Sequence, residues 1–321
     1  MSTADESDTH APDAGPGHGT RSVLVSIALF AVTFLSVTYA GSQYTSQSAG
    51  QFWSGLNYSV PLMSILLCHE LGHYIAARVH RVPTSPPFFV PMPFLLLGTM
   101  GAVILMRDRI ARRDALHDIG AAGPLAGMAV ALPVLIYGIA TSPVEPLHPE
   151  QWQLMEGRSL LYVGLLHLLK GPIPHGYDIA LSPTAFAGWA GLLMTMINLI
   201  PAVQLDGGHV AYALFGERQE RYSRLIRAAL MPTAVLVSLL YGFDAWRDGA
   251  RGDRLLSGFE PGVHWLLWWF VLRLMARRGE REHPRTDDEV LSPRRRLVAW
   301  ATLALFVVLF MPAWLRQIPP S

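Results

Sequence analysis

The chain has 321 residues, 51% of them hydrophobic and 15% charged, whereas an ordinary soluble domain carries about 25% charged residues. A formal net charge of +1 offers no global attraction to nucleic acid, and a single cysteine, Cys68, excludes an intrachain disulfide and a cysteine-rich zinc module. With a mean hydropathy of +0.30, the composition is that of a chain that meets lipid.

Residues 1–20 are rich in Ser, Thr, Asp, Gly and Pro without an apolar period, and read as a disordered tail. Apolar runs then follow at about 22–40, 57–77, 119–141, 182–202, 225–242, 261–276 and 297–315. Each approaches the roughly 20 residues that a helix needs to cross a bilayer. The first run has an acidic leader and no small-residue cleavage site behind it, so it reads as a retained helix rather than a signal peptide. With the N-terminus in the cytoplasm and seven crossings, inside segments hold three times as many cationic residues as outside ones. The positive-inside rule therefore favours that orientation.

The second run contains "SILLCHELGHYIAA", Ser64 to Ala77. Ionisable groups at membrane depth cost at least about 2.5–3.5 kcal/mol each, so His69, Glu70 and His73 need a partner. They fit H-E-x-x-H, in which histidines at i and i+4 share a helix face and bind one zinc ion while the glutamate handles a water. Cys68 points about 100° away from His69 and reads as apolar packing rather than as a ligand.

"VPTSPPFFVPMPFLLLGTMGAVILM", Val82 to Met106, is apolar, but five prolines forbid one straight helix. It reads as a re-entrant loop or β-hairpin, with the strand-like "GAVILM" free to offer an edge to an unwound substrate. Arg107, Arg109, Arg112 and Arg113 follow, and setting topology accounts for them. "GPLAG" (123–127) puts small residues at i and i+4, the usual mark of a close helix contact.

Two histidines leave a catalytic zinc site one protein ligand short. "MINLIPAVQLDGGHV", Met196 to Val210, closes the fourth run. Pro201 breaks the helix and Gly207–Gly208 permit a sharp turn. Asp206 is then either the third ligand or the N-cap of the next short helix, and spacing does not choose between them. Asn198 could hydrogen-bond a substrate carbonyl, or a neighbouring helix. A DGG turn aims His209 elsewhere. Further on, "HWLLWWF" (264–270) reads as an interfacial aromatic anchor.

"HELGH" in one apolar helix and "NLIPAVQLDGGH" in a later one resemble the site-2 protease family of intramembrane zinc metalloproteases. "GTMGAVILMRDRIARRDALHDIGAAGPLAG" (98–127) resembles its branch in bacteria, archaea and chloroplasts. The resemblance covers about residues 57–215. It implies one zinc ion per chain held by His69, His73 and Asp206, Glu70 as general base and Asn198 assisting at the oxyanion. It also implies a three-helix core from the runs 57–77, 119–141 and 182–202. The 40 residues at 142–181 are too few for the PDZ module of many relatives, and no CBS pair is evident.

The expected protein is an all-α polytopic membrane protein of six to seven transmembrane helices, with a small membrane-embedded β or re-entrant element before the third core helix. It divides into a tail (1–20), a metalloprotease core including the first helix (21–216) and C-terminal helices with a basic loop (217–321). Its expected home is a bacterial inner membrane. Its partners are lipid and a transmembrane protein substrate, with no nucleic acid. A metal transporter or sensor is the rival from another class; Glu70, a base beside the metal, has no use there.

Overall fold

A computed structural model describes residues 17–44, 51–106, 110–147, 153–276, 286–287 and 290–318. Residues 1–16 of the expected tail, and Arg107 and Arg109, lie outside the described residues, and Gly17–Thr20 form the first turn of a helix. The chain is mostly helical. In order come α1 (Gly17–Ser42), a 3-10 turn (Phe52–Gly55), α2 (Leu56–Val79), β1 (Phe88–Pro91), β2 (Thr99–Val103) and α3 (Arg113–Thr141). Then follow β3 (Val144–Pro146), β4 (Gln153–Glu156), α4 (Leu160–Lys170), β5 (Tyr177–Ile179), α5 (Pro183–Asn198) and α6 (Asp206–Phe215). The remainder is α7 (Arg218–Arg247), α8 (Asp253–Ser257), a 3-10 turn (Glu260–Gly262), α9 (Val263–Ala276), α10 (Pro293–Leu309) and β6 (Leu315–Ile318).

Among the described residues, four segments are long and apolar enough to cross a membrane: Thr20–Ser42, Phe52–Val79, Arg113–Thr141 and Arg218–Arg247. The other three apolar runs give shorter helices, α5 with 16 residues, α9 with 14 and α10 with 17. For α5 the reason is local. Ser182 caps its start by accepting from the Ala185 N–H, with Pro183 in the first turn. At the other end Pro201 bars Ile200 from the helical region, so the helix stops at Asn198.

The core is built on α2, α3 and α5. Leu62, Met63, Ile65, Ala131, Leu135, Trp189, Leu192 and Met196 are buried between them. Small residues let the helices approach: a Cβ on Gly72 would press on the Ala122 carbonyl, and one on Gly188 on the backbone of Leu135. Many apolar side chains on α1 and α7 are exposed, among them Leu24, Ile27, Leu236 and Leu239, as the lipid-facing side of an integral membrane protein requires.

The proline-rich stretch pairs β1 with β2 antiparallel, Phe89 opposite Ala102, with an irregularity near Pro91. Hydroxyls of α1 satisfy its backbone, Ser26 donating to the Pro87 carbonyl and Ser36 to that of Gly98, both at 2.6 Å. Gly98 has φ +75° and lies against the backbone of Val37, so only glycine suits that turn. Two further antiparallel pairs, β3–β5 and β4–β6, lie outside the expected β element.

The aromatic anchor is corrected at its first tryptophan. Trp265 is fully buried, donates to the Pro312 carbonyl at 2.6 Å and stacks on Phe310. His264 stacks on Trp314. This end of α9 is a packing surface for the segment after α10 at Trp265, while Leu266, Leu267 and Phe270 remain exposed.

Candidate metal centre

On α2 the i, i+4 spacing turns His69 and His73 to the face that meets α3. Both imidazoles are buried, with their Nε2 atoms 3.2 Å apart. α3 makes room for them by omission. A Cβ on Gly123 would overlap the His73 ring, and one on Gly127 would come within 3.1 Å of His69 Cβ. The pair of small residues read as a helix contact is therefore the seat of the two imidazoles. Its spacing was visible in the sequence, but what it would contact was not.

Ile119 of α3 sets the His73 tautomer. Its carbonyl lies 2.7 Å from Nδ1. A carbonyl can only accept, so Nδ1 carries a proton, and in the neutral imidazole Nε2 presents its lone pair.

Asp206 arrives from the far side of the broken helix. Leu205 occupies the N-cap position and Asp206 is the first residue of α6, with no side-chain cap bond, so the capping alternative does not describe this aspartate. The loop before it is held in a costly shape: Val203 has φ +47°, unfavourable for a β-branched residue, and its N–H is taken by the Ser223 hydroxyl. Gly207 and Gly208 lie so close to the carbonyls of Leu199 and Val203 that a side chain at either would overlap them. The start of α6 thereby folds back over the loop, and Asp206 Oδ2 comes to 3.3 Å from His69 Nε2 and 3.2 Å from His73 Nε2.

The three atoms form a nearly equilateral triangle. A tetrahedral ion with bonds of about 2.0–2.1 Å needs ligand atoms about 3.3–3.4 Å apart, so the triangle fits one face of such a shell and leaves the fourth position open. Among the described residues this is the only group of three or more His, Cys, Asp or Glu arranged to hold a metal. Cys68, half-buried, and His209, whose Cβ lies over Gly120, are outside it.

Glu70 and Asn198 adjoin the triangle. Asn198 Nδ2 is 3.3 Å from His69 Nε2. Glu70 is buried, and with His69 and Asn198 it lines a cavity of about 60 Å³ whose further walls include Ile65, Thr195 and, from β2, Met100 and Ala102. The Glu70 carboxyl, the Asn198 amide and one corner of the triangle, His69, thus share one small space with a strand of the hairpin.

The chain is similar to known proteins along most of its length. The chain is 34% identical over 258 residues to "Probable zinc metalloprotease EGY2, chloroplastic" of Arabidopsis thaliana, covering 80% of this chain and 41% of the relative. It is 33% identical over 265 residues to "Probable zinc metalloprotease EGY1, chloroplastic" of Oryza sativa subsp. japonica, covering 81% and 41%. The chain spans about two-fifths of the length of these relatives. The profile of peptidase family M50 matches residues 57–241, a stretch that begins with α2 and takes in both halves of the metal triangle. The chain belongs to peptidase family M50.

Proposed function

We propose that the chain is a zinc metalloprotease that hydrolyses peptide bonds of transmembrane or membrane-tethered proteins. The observation that carries this reading is the triangle of His69, His73 and Asp206 with Glu70 beside it. Those three residues hold zinc. When bound, zinc polarises a carbonyl and acidifies water.

The remaining work falls to side chains of this chain. Glu70, one residue from His69 and too far round the helix to be a ligand, takes the proton of the attacking water and passes it to the leaving amine. The Asn198 amide hydrogen-bonds the carbonyl oxygen as it gains charge. Burial of the site in the helix core shields these groups from bulk water and strengthens each interaction. A helical substrate hides its carbonyls, so it must unwind locally. The edge of β2 that does not pair with β1 is suited to receive the extended segment, and its residues Met100 and Ala102 already line the cavity.

We further propose that α5, α9 and α10 lie at membrane depth beside the four longer helices, and that the hairpin is embedded with them. In this reading residues 21–216 form the catalytic core and 217–321 the C-terminal helices. The cationic bias supports an N-terminus in the cytoplasm.

The test is Glu70→Gln in the full chain. General-base help is worth about 10²–10⁴-fold in rate, so the variant should keep one zinc per chain and lose cleavage of a membrane-tethered substrate by that factor. Cleavage at the wild-type rate would overturn the catalytic assignment. Zinc binding without cleavage by wild type would favour the transporter or sensor reading.

A further inference from the structure

α10 opens against the usual electrostatic preference. Its first turn contains Arg294, Arg295 and Arg296 and no acidic residue, although the positive end of a helix dipole disfavours cations. A rule that keeps cations in the cytoplasm would act on the three alike, but the fold does not treat them alike. Arg294 and Arg296 are exposed, whereas Arg295 turns inward. Its Nε lies 2.9 and 3.0 Å from the two carboxylate oxygens of Asp118, and its Nη2 is 2.7 Å from Oδ2.

Asp118 is a junction. Besides Arg295 of α10, its Oδ2 takes the His80 Nε2 contact at 2.8 Å, from the C-cap of α2, and its Oδ1 takes His117 Nδ1 at 2.8 Å. The next residue is Ile119, whose carbonyl fixes the tautomer of His73. A second fastening lies nearby: Asp287, ahead of α10, accepts from the Arg113 N–H at 3.0 Å and donates its own N–H to the Ala111 carbonyl at 2.8 Å. Below these polar contacts Ala299 is buried against Ala121 of α3 and Val210 of α6, one turn beyond Asp206. The helix thus touches both elements that shape the metal triangle from outside α2.

We propose that Arg295 is a positioning residue of the metal centre. Through Asp118 it holds the second turn of α3 in register with the end of α2, so that the Ile119 carbonyl meets His73 Nδ1, while α10 seats α6 and with it Asp206. The C-terminal helix in this view completes the site from a distance of more than 200 residues in sequence from His73. The proposal rests on the zinc reading above for the identity of the ion.

The experiment measures zinc affinity of the full chain in detergent micelles, by competition with a fluorescent chelator, so its readout is independent of turnover. Loss of a group that orients a metal ligand costs about 10–100-fold in affinity, and Arg295→Ala should fall at the lower end of that range. Arg295→Lys should recover part of the loss, since one ammonium replaces a two-point guanidinium contact. Arg295→Ala combined with Asp118→Asn should be no worse than the weaker single variant, and Arg294→Ala should bind as wild type does. Wild-type affinity in Arg295→Ala, or losses that add in the double variant, would overturn the proposal. If Arg295→Ala does not fold, the Lys variant decides, with unchanged zinc affinity counting against. Zinc uptake by wild type without proteolysis would sink the protease reading and leave this one standing.

Discussion

Two groups of ionisable side chains lie at opposite ends of α5, and they are assembled on different principles. Near its start, Arg158 donates through Nη2 to both Asp178 oxygens at 2.6 Å, and the Tyr162 hydroxyl donates to Glu156 Oε1 at 2.7 Å. Every carboxylate there has a donor from the chain. At the other end, His73 Nε2 and Asp206 Oδ2 face each other at 3.2 Å, and Nδ1 of that histidine is already committed to a carbonyl. With neutral imidazole, acceptor faces acceptor, and either a second proton on Nε2 or a cation between the two groups satisfies them. The first cluster is satisfied by donors of the chain itself; the second is arranged so that it could hold an ion.

The contrast can be broken most severely by removing one carboxylate from each end. Asp206→Ala should reduce zinc from one per chain to near none and abolish cleavage, since two imidazoles leave the site incomplete. Asp178→Ala should leave zinc and cleavage as they were and change stability by no more than about 1 kcal/mol, the scale of a partly exposed ion pair. Metal content and turnover measured on the same preparations check both. Retention of zinc by Asp206→Ala would remove the basis for the distinction.

A smaller effect is expected from adding one methyl group. In Gly123→Ala the new Cβ overlaps the His73 ring. That ring cannot retreat without losing the Ile119 carbonyl, so zinc affinity should fall at least about tenfold. Gly164 in α4 has no atom within 4 Å of its Cβ position. Gly164→Ala should keep full affinity and gain up to about 1 kcal/mol in stability from helix propensity. Equal zinc affinity in the two variants would show that the glycine seat does not shape the ligands.

How far the site could be read from the sequence follows from the same geometry. His69, Glu70 and His73 are legible because one helical turn relates them and nothing tertiary is needed. Asp206 is not, because its meeting with α2 depends on the strained loop at Val203 and the fold-back at Gly207; only family resemblance pointed to it. Gly123 and Gly127 were visible as a spacing but mute about what they face. The end of α5 was legible at Pro201. The burial of Trp265 was not, since a tryptophan cluster looks the same whether it meets headgroups or the Trp314 segment. Asp118 and Arg295, 177 residues apart, carry no local pattern at all.

The least of the expected effects concerns Glu156, in the donor-matched cluster. Burial pushes its carboxyl above the ordinary range, with the Tyr162 hydroxyl and Arg158 pulling the other way. The folded chain therefore keeps this proton at a pH where the unfolded chain has lost it. Stability from this group is whole below the ordinary glutamate pKa and is lost as pH rises towards the raised value in the fold. Glu156→Gln removes the titration while keeping an acceptor for Tyr162. The difference in thermal unfolding midpoint, variant minus wild type, should then grow in favour of glutamine from acid to neutral pH. Taking the difference at each pH cancels protonation of the zinc ligands, which the two proteins share. Parallel curves would mean that the hydroxyl and guanidinium partners of Glu156 fully offset its burial.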